Sequence, residues 1–214
     1  MTNFLATLGY NCRMDWNSKT ISTYDSSASE LAEYFKGIGA RIDDIQLGIQ
    51  LSGSKDDIQV VEIGCGDGRD AAEIVPRVSS YVGVDPSEGL LEIARKRLPD
   101  ATFVKADALS YDYPEDIDVI YAFASLLHIN KSDMKLALAK ASKCLRSGGI
   151  YYISLKERDD YTEEVKNDQY GERMFYYYSP SIIKDLSAQW FDVVHEEHQQ
   201  IGHTAWFTIA LKKR

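Results

Sequence analysis

The chain is short of basic charge: 24 lysines and arginines face 33 aspartates and glutamates in 214 residues, a formal net charge of −9 with the histidines neutral. That deficit argues against a non-specific grip on nucleic acid or an anionic membrane, because both need clustered Lys and Arg. Cysteine is scarce as well. Cys12, Cys65 and Cys144 are odd in number and far apart, with no CxxC pair and no neighbouring histidines, a pattern that suits a reducing compartment and speaks against structural zinc. No stretch approaches the roughly 18 consecutive apolar residues of a membrane span, and Met1 to Tyr10 has no basic flank to make it a secretory signal. These absences predict a cytoplasmic protein with no membrane association, no nucleic-acid partner and no bound metal.

What is present suffices for one core: 44% of the residues are hydrophobic, in a length typical of a single domain. The polar stretch Ser52 to Asp57 (SGSKDD) reads as a connector and predicts two unequal parts, residues 1–51 and 52–214. Before it, Ser27 and Glu30 have the spacing of a capping box. Leu31, Tyr34, Phe35, Ile38, Ile42 and Ile45 recur at helical spacing, with Gly37 and Gly39 dividing them into two helices. After it, short apolar runs alternate with amphipathic segments, the pattern of βαβ units. Strands are expected at Ile58 to Ile63, Tyr81 to Val84, Thr102 to Val104, Asp118 to Ala122 and Ile150 to Leu155. One helix is expected on Leu90, Leu91, Ala94 and Leu98. A second, on Met134, Ala137, Leu138, Ala141 and Leu145, is expected to stop at Ser147-Gly148-Gly149. Ser179-Pro180 opens a further helix through Leu186, and Phe191 to His195 with Ala205 to Leu211 should form a terminal antiparallel hairpin.

The most informative stretch is Val60 to Asp70, VVEIGCGDGRD, an apolar strand running into a glycine-rich turn. Glycines there let the backbone approach a ligand and adopt dihedrals that a Cβ obstructs. A dinucleotide fingerprint GxGxxG needs glycine at position 69, which is Arg69 instead. The rival reading, a nucleotide-sugar or NAD enzyme of doubly wound fold, loses its motif at that residue. Asp85 follows the next strand in Gly83-Val84-Asp85, where it can accept hydrogen bonds from both hydroxyls of a ribose or cap the helix that starts near Ser87. Asp107, beyond the third strand, can meet an exocyclic amine or serve as a turn residue.

These segments resemble the class I S-adenosylmethionine-dependent methyltransferases. VVEIGCGDGRD is similar to that family's glycine loop, GVDPSEGLLEIAR to its ribose-binding strand and helix, KADAL to the segment that meets adenine, and DIDVIYAFASLLHI and LRSGGIYYISLKE to its fourth and fifth strands. The resemblance implies an α/β, doubly wound, Rossmann-like fold: a seven-stranded mixed sheet with a C-terminal antiparallel hairpin and an N-terminal helical lid. It implies S-adenosyl-L-methionine as cofactor and S-adenosyl-L-homocysteine as product. By the same resemblance Gly64, Cys65 and Gly66 lie against the amino-acid part of the cofactor, Asp85 and the adjoining Pro86 at the ribose, Asp107 at the adenine amine with Ala108 beside the ring, and Ala122 and Phe123 near the methionine portion. Glu62 would act indirectly by holding the loop. Tyr24-Asp25 followed by Ala28 looks like the YDxxA opening of small-molecule members, within the helical lid.

Ligands of such sheets bind outside the carboxyl ends of the strands, near the switch point. Methyl transfer from a sulfonium is an in-line displacement that alignment and exclusion of water can drive, and a protein base is needed only for an acceptor that must lose a proton. His128, after the fourth strand, is the candidate base, with loop packing as the alternative. Glu157, beyond the fifth strand, can attract an amine or stay solvated. Tyr161, Tyr170, Tyr176, Tyr177 and Tyr178 gather after that strand, where they wall the acceptor pocket or pack an edge. Tyr24, Tyr161, Tyr177 and His203 are the further pocket candidates, with His198 beside His203 and Trp206 assigned to hairpin packing. The expected activity is methylation of oxygen or nitrogen on a small molecule by a monomer or homodimer. A non-catalytic sensor or partner protein and a protein-directed methyltransferase are the alternatives. DNA amino-methylation is disfavoured because AFAS follows the fourth strand, without a Pro-Pro-aromatic segment.

Overall fold

A computed structural model describes residues 16–53 and 56–214. Cys12 and the Met1 to Tyr10 segment lie outside the described residues. The apolar runs after the connector become β1 (Gln59–Ile63), β2 (Ser80–Asp85), β3 (Thr102–Lys105), β4 (Ile117–Phe123) and β5 (Leu145–Lys156), all parallel. Every residue of β4 is buried, as a central strand covered on both faces requires. The terminal hairpin is β8 (Phe191–Ile201) and β9 (Thr204–Lys213), and β9 pairs antiparallel with β5. The sheet order is β3-β2-β1-β4-β5-β9-β8, seven strands and mixed, as expected.

Alternation along the strands feeds two apolar layers. Val61, Ile63, Ile120 and Ala122 meet α6 (Lys131–Cys144) and α7 (Pro180–Ser187) on one face through Met134, Leu138 and Ile183. Val60, Val119, Tyr121 and Phe123 meet α3 (Ile42–Ser52) and α4 (Ala71–Ile74) on the other through Ile45 and Ile74. The helix α5 (Glu88–Arg97) buries Leu90, Leu91 and Ala94 and is capped by Ser87, whose hydroxyl oxygen accepts from the Leu90 N–H.

Three local expectations are corrected. α6 ends at Cys144, short of the glycines: Leu145 is extended and buried, and it already pairs with Ile117 as the start of β5. The capping box is not made. α1 (Trp16–Ser26) runs almost directly into α2 (Ala28–Ile38), and the Ser27 hydroxyl donates to the Tyr170 carbonyl instead of capping α2. Third, the segment 1–51 is not uniform where it is described. Ile45 of α3 is fully buried on the sheet and accepts a hydrogen bond from the Tyr121 hydroxyl at its carbonyl, so α3 is a layer of the core.

Two elements were expected only as regions, the helical lid and the tyrosine-rich segment after the fifth strand, and take an unexpected form. α1 has no apolar stripe; its buried residues are Thr20 and Thr23. Both face the second, an inserted two-stranded hairpin of β6 (Thr162–Asp168) and β7 (Gly171–Tyr177). The Met174 N–H donates to the Thr20 hydroxyl at 3.1 Å, and the Thr23 hydroxyl donates to the Glu172 carbonyl at 2.7 Å. α1 and β7 together roof the carboxyl edge of the sheet.

Candidate active site at the carboxyl edge of the sheet

The turn after β1 is set by positive φ angles at Gly64 (+73°) and Gly66 (+54°). A Cβ on Gly64 would stand 2.1 Å from the Ser125 Cβ, whereas one on Gly66 would meet nothing within 4 Å. Gly64 therefore admits the loop after β4, and Gly66 leaves a backbone cradle open to a ligand. Ser125 seals the loop contact by donating to the Ile63 carbonyl at 2.6 Å. Cys65 is buried, and burial with the nearby Asp85 and Glu62 pushes its thiol well up, which leaves it inert. Glu62 is buried beneath the turn and accepts from the Tyr81 hydroxyl at 2.5 Å; burial, then the proximity of Asp70, holds its carboxyl well above the ordinary range. This is a supporting position, as expected of it.

Asp85 ends β2 with one oxygen accepting from the Gly66 N–H at 2.9 Å and the other from the Ser87 N–H at 2.8 Å. Burial raises its pKa to about 6 against those two bonds. A carboxylate offers about four lone-pair sites, so two remain for ligand hydroxyls. Pro86 connects this aspartate to the Ser87 cap. Asp107 makes a turn, one oxygen accepting from the N–H groups of Leu109 and Ser110 at 2.8 Å each. Ala108 beside it is buried. A cleft of about 350 Å³ opens here, bounded by Asp107 to Leu109, by His128 to Asn130, by Asp133 and Tyr176, and by Trp16 and Asn17 of α1.

Ala122 and Phe123 do not face the crevice with their side chains. Both are buried in the apolar layers, and the Phe123 ring lies under the Arg41 guanidinium at 5.0 Å. What that strand presents at its end is Ala124, exposed and at φ +53°, followed by Ser125. A non-glycine residue in that conformation is strained backbone of the kind that collects at functional sites. Arg69 pairs with Asp70 at 2.5 Å, and its Nε is buried with no partner among the described residues.

The YDxxA residues reach both sides of the crevice. Asp25 accepts from the Ser87 hydroxyl at 2.7 Å and from the Gly89 N–H at 3.1 Å, beside Asp85. Tyr24 donates to His128 Nε2 at 2.8 Å. The other ring nitrogen, Nδ1, is 2.6 Å from the Met174 carbonyl, an acceptor, so Nδ1 carries the proton and Nε2 is the free lone pair that Tyr24 occupies. Burial lowers the His128 pKa to about 3, with Arg173 and Lys156 adding repulsion. The residue expected as a base is thus a neutral histidine with its lone pair engaged, which fits it to hold Tyr24 rather than to take a proton.

The other pocket candidates are dispersed. Glu157 is bound to His198 Nδ1 at 2.9 Å at the outer strands. His203 is exposed in the β8–β9 turn. Tyr161 donates to Glu163 at 2.8 Å and stacks on Tyr176 at 6.3 Å, near the start of α6. Tyr177 is buried, its ring 3.7 Å from the Arg158 guanidinium. Trp206 packs within 5.7 Å of the Lys156 ammonium. Sequence reasoning missed Arg173, Lys156 and Lys166, which gather around the Phe175 ring that packs on His128. The period-two pattern Arg173, Phe175, Tyr177 was the available signal.

With this geometry in place, the relatives can be compared. Residues 60–149, from β1 into β5, match the model of the methyltransferase domain family. An uncharacterised methyltransferase of Bacillus cereus is 24% identical over 207 residues, covering 89% of this chain and 93% of that protein. Residues 60–149 thus carry a methyltransferase domain. A trans-aconitate 2-methyltransferase of Acidovorax sp. is 33% identical to this methyltransferase over 103 residues, 47% of this chain and 39% of that enzyme. Among solved structures, the Burkholderia thailandensis 1,6-didemethyltoxoflavin-N1-methyltransferase, crystallised with 1,6-didemethyltoxoflavin and S-adenosylhomocysteine, superposes with a TM-score of 0.69. At 17% identity it covers all of this methyltransferase and 93% of its own chain, a likeness of fold.

Proposed function

We propose that this methyltransferase transfers a methyl group to an oxygen or nitrogen of a small-molecule acceptor by in-line displacement, with the cofactor held at the β1–β2–β3 edge and the acceptor beneath α1 and the inserted hairpin. The observation that carries the reading is Asp85: a buried carboxylate, fixed by two backbone N–H groups, with lone pairs left over beside the open cradle at Gly66. Asp85 would take the ribose hydroxyls, the second oxygen of Asp107 the adenine amine, and the unpartnered Arg69 Nε the carboxylate of the methionine portion. S-adenosylmethionine, when bound, supplies an electrophilic methyl on sulfur. The chain supplies orientation and exclusion of water, which can account for about 7–11 kcal/mol of barrier in favourable cases.

α1 and α2 serve as the lid, because Asp25 and Tyr24 of α1 reach the two sides of the crevice. The small acceptor is supported by the roof, which leaves a cleft of about 350 Å³ whose Asp107–Ala108 side is given to the adenine, so that little room remains for the acceptor. The activities named for the toxoflavin-precursor and trans-aconitate enzymes are of that class. Calorimetry with S-adenosylhomocysteine and transfer of label from S-adenosylmethionine to pooled metabolites test the reading. Asp85→Ala should weaken cofactor binding at least about tenfold, since a hydrogen bond to a charged group contributes about 1.5–3 kcal/mol. Unchanged affinity in that variant, or binding of NAD in place of the cofactor, would refute it.

A further inference from the structure

Next to His128, which lines the cleft, the inserted hairpin and the end of β5 hold a local excess of positive charge in an acidic protein. Three cations converge on the Phe175 ring: the Lys156 ammonium at 4.0 Å from its centroid, the Lys166 ammonium at 5.7 Å and the Arg173 guanidinium at 5.5 Å. They come from β5, β6 and β7. In-register pairing puts Lys166 opposite Arg173 on the hairpin face that carries Phe175, and Phe175 packs on His128 at 4.7 Å. One carboxylate answers this group directly: Asp168, bonded to Arg173 at 2.5 Å. Glu164, on the same face, is committed to Arg158. Neither lysine lies within ion-pairing distance of a carboxylate among the described residues. Arg173 is 7% exposed, and its buried Nε has no partner among them.

Holding like charges together in a half-buried place is unfavourable, and contact with an aromatic face offsets only part of that cost. Burial, then Lys166 and Arg173, lower the Lys156 pKa to about 8, against a smaller opposing pull from Glu164 and Asp168. Glu164 and Asp168 are the carboxylates that act on the two lysines, and both are ion-paired to arginines, Glu164 to Arg158 and Asp168 to Arg173, so the group keeps an excess of positive charge.

From this arrangement we infer that the methyl acceptor is a small oxyanion, a carboxylate or a phosphate ester, whose charged group binds among Lys156, Lys166 and Arg173 over the Phe175 ring. This rests on the proposed function for the location of the acceptor and adds its chemical class. The −9 net charge, which favours a neutral or cationic partner for the molecule as a whole, is reversed locally. An acceptor that is already anionic also fits a site whose histidine offers no free lone pair.

The test titrates citrate, benzoate and inorganic phosphate into the full chain by calorimetry, with and without saturating S-adenosylhomocysteine. Benzamide and benzylamine serve as uncharged and cationic controls, and the Lys156→Gln/Lys166→Gln variant is measured in parallel. The expected result is binding of at least one anion and of neither control, weakened at least tenfold in the variant while S-adenosylhomocysteine affinity stays within twofold. Preference for the carboxylates or for phosphate tells the two oxyanions apart. Binding of no anion, equal binding by the variant, or tighter binding of benzylamine or benzamide overturns the inference. Failure of S-adenosylhomocysteine to bind would count against the cofactor reading alone, because the titrations without it still decide for or against the anion site.

Discussion

At the end of the crevice assigned to the cofactor, backbone N–H groups of Gly66, Ser87, Leu109 and Ser110 meet the carboxylates of Asp85 and Asp107. At the other end the groups in contact are mostly side chains, Tyr24, His128, Lys156, Lys166, Phe175 and Arg173, drawn from α1, the loop after β4, β5 and the inserted hairpin. The first arrangement is fixed by the path of the chain around β1, β2 and β3 and needs particular residues at few places. The second depends on which side chains happen to be brought together across large sequence separations. One end is acidic and conformationally determined; the other is basic and compositional. A fold of this kind can keep its donor site while the acceptor site changes.

Three substitutions probe that contrast. The largest effect is expected at the backbone-determined end. Gly64→Ala puts a methyl against Ser125 in a conformation at φ +73° that alanine adopts with strain, so it should cost at least about 2 kcal/mol of stability and weaken S-adenosylhomocysteine binding as well. Denaturant unfolding and calorimetry measure both, and wild-type stability in that variant would mean that the turn is not packed as described.

At the side-chain end the effect should depend on pH. His128 is neutral in the folded protein, with a pKa near 3 instead of its ordinary 6.5. Below about pH 6.5 the unfolded chain therefore binds a proton that the folded chain does not, and stability falls by about 1.4 kcal/mol per pH unit. The stability advantage of wild type over His128→Gln should accordingly shrink by roughly 2 kcal/mol between pH 7 and pH 5. An advantage constant across that range would show that His128 is not held neutral. The smallest effect belongs to Tyr24→Phe, which removes the hydroxyl that donates to His128 and accepts a longer bond from Arg173. The acceptor KM should rise about fivefold, near 1 kcal/mol, with cofactor affinity almost unchanged. A larger loss of cofactor affinity than of acceptor affinity would assign Tyr24 to the other end.

The same contrast explains what could be read from the sequence. The strands β1 to β5 and the aspartates Asp85 and Asp107 follow from apolar runs and fixed spacing, because a buried parallel sheet leaves little choice of residue. The strand expected at Asp118 to Ala122 runs on through Phe123, and the first exposed residue is Ala124, a boundary that the apolar run alone does not mark. α1 left no apolar signature because it docks through the hydroxyls of Thr20 and Thr23. The cation group was hidden because Lys156, Lys166 and Arg173 meet only through the register of β6 against β7 and the hairpin's contact with the end of β5. His128 was found, yet its role turned on Tyr24 and the Met174 carbonyl, 104 and 46 residues away in sequence.

Tyr24 and Asp25 are consecutive residues of one helix, and they touch opposite ends of the crevice, Asp25 at the Ser87 cap and Tyr24 at His128. A shift of α1 that loosens one contact loosens the other, so occupancy at either end is felt at the other through a single turn of helix. Linkage then imposes reciprocity: the factor by which donor binding tightens the acceptor must equal the factor by which the acceptor tightens the donor. A helix with no apolar face of its own would thereby couple the affinities of the two ligands, by the same factor whichever binds first.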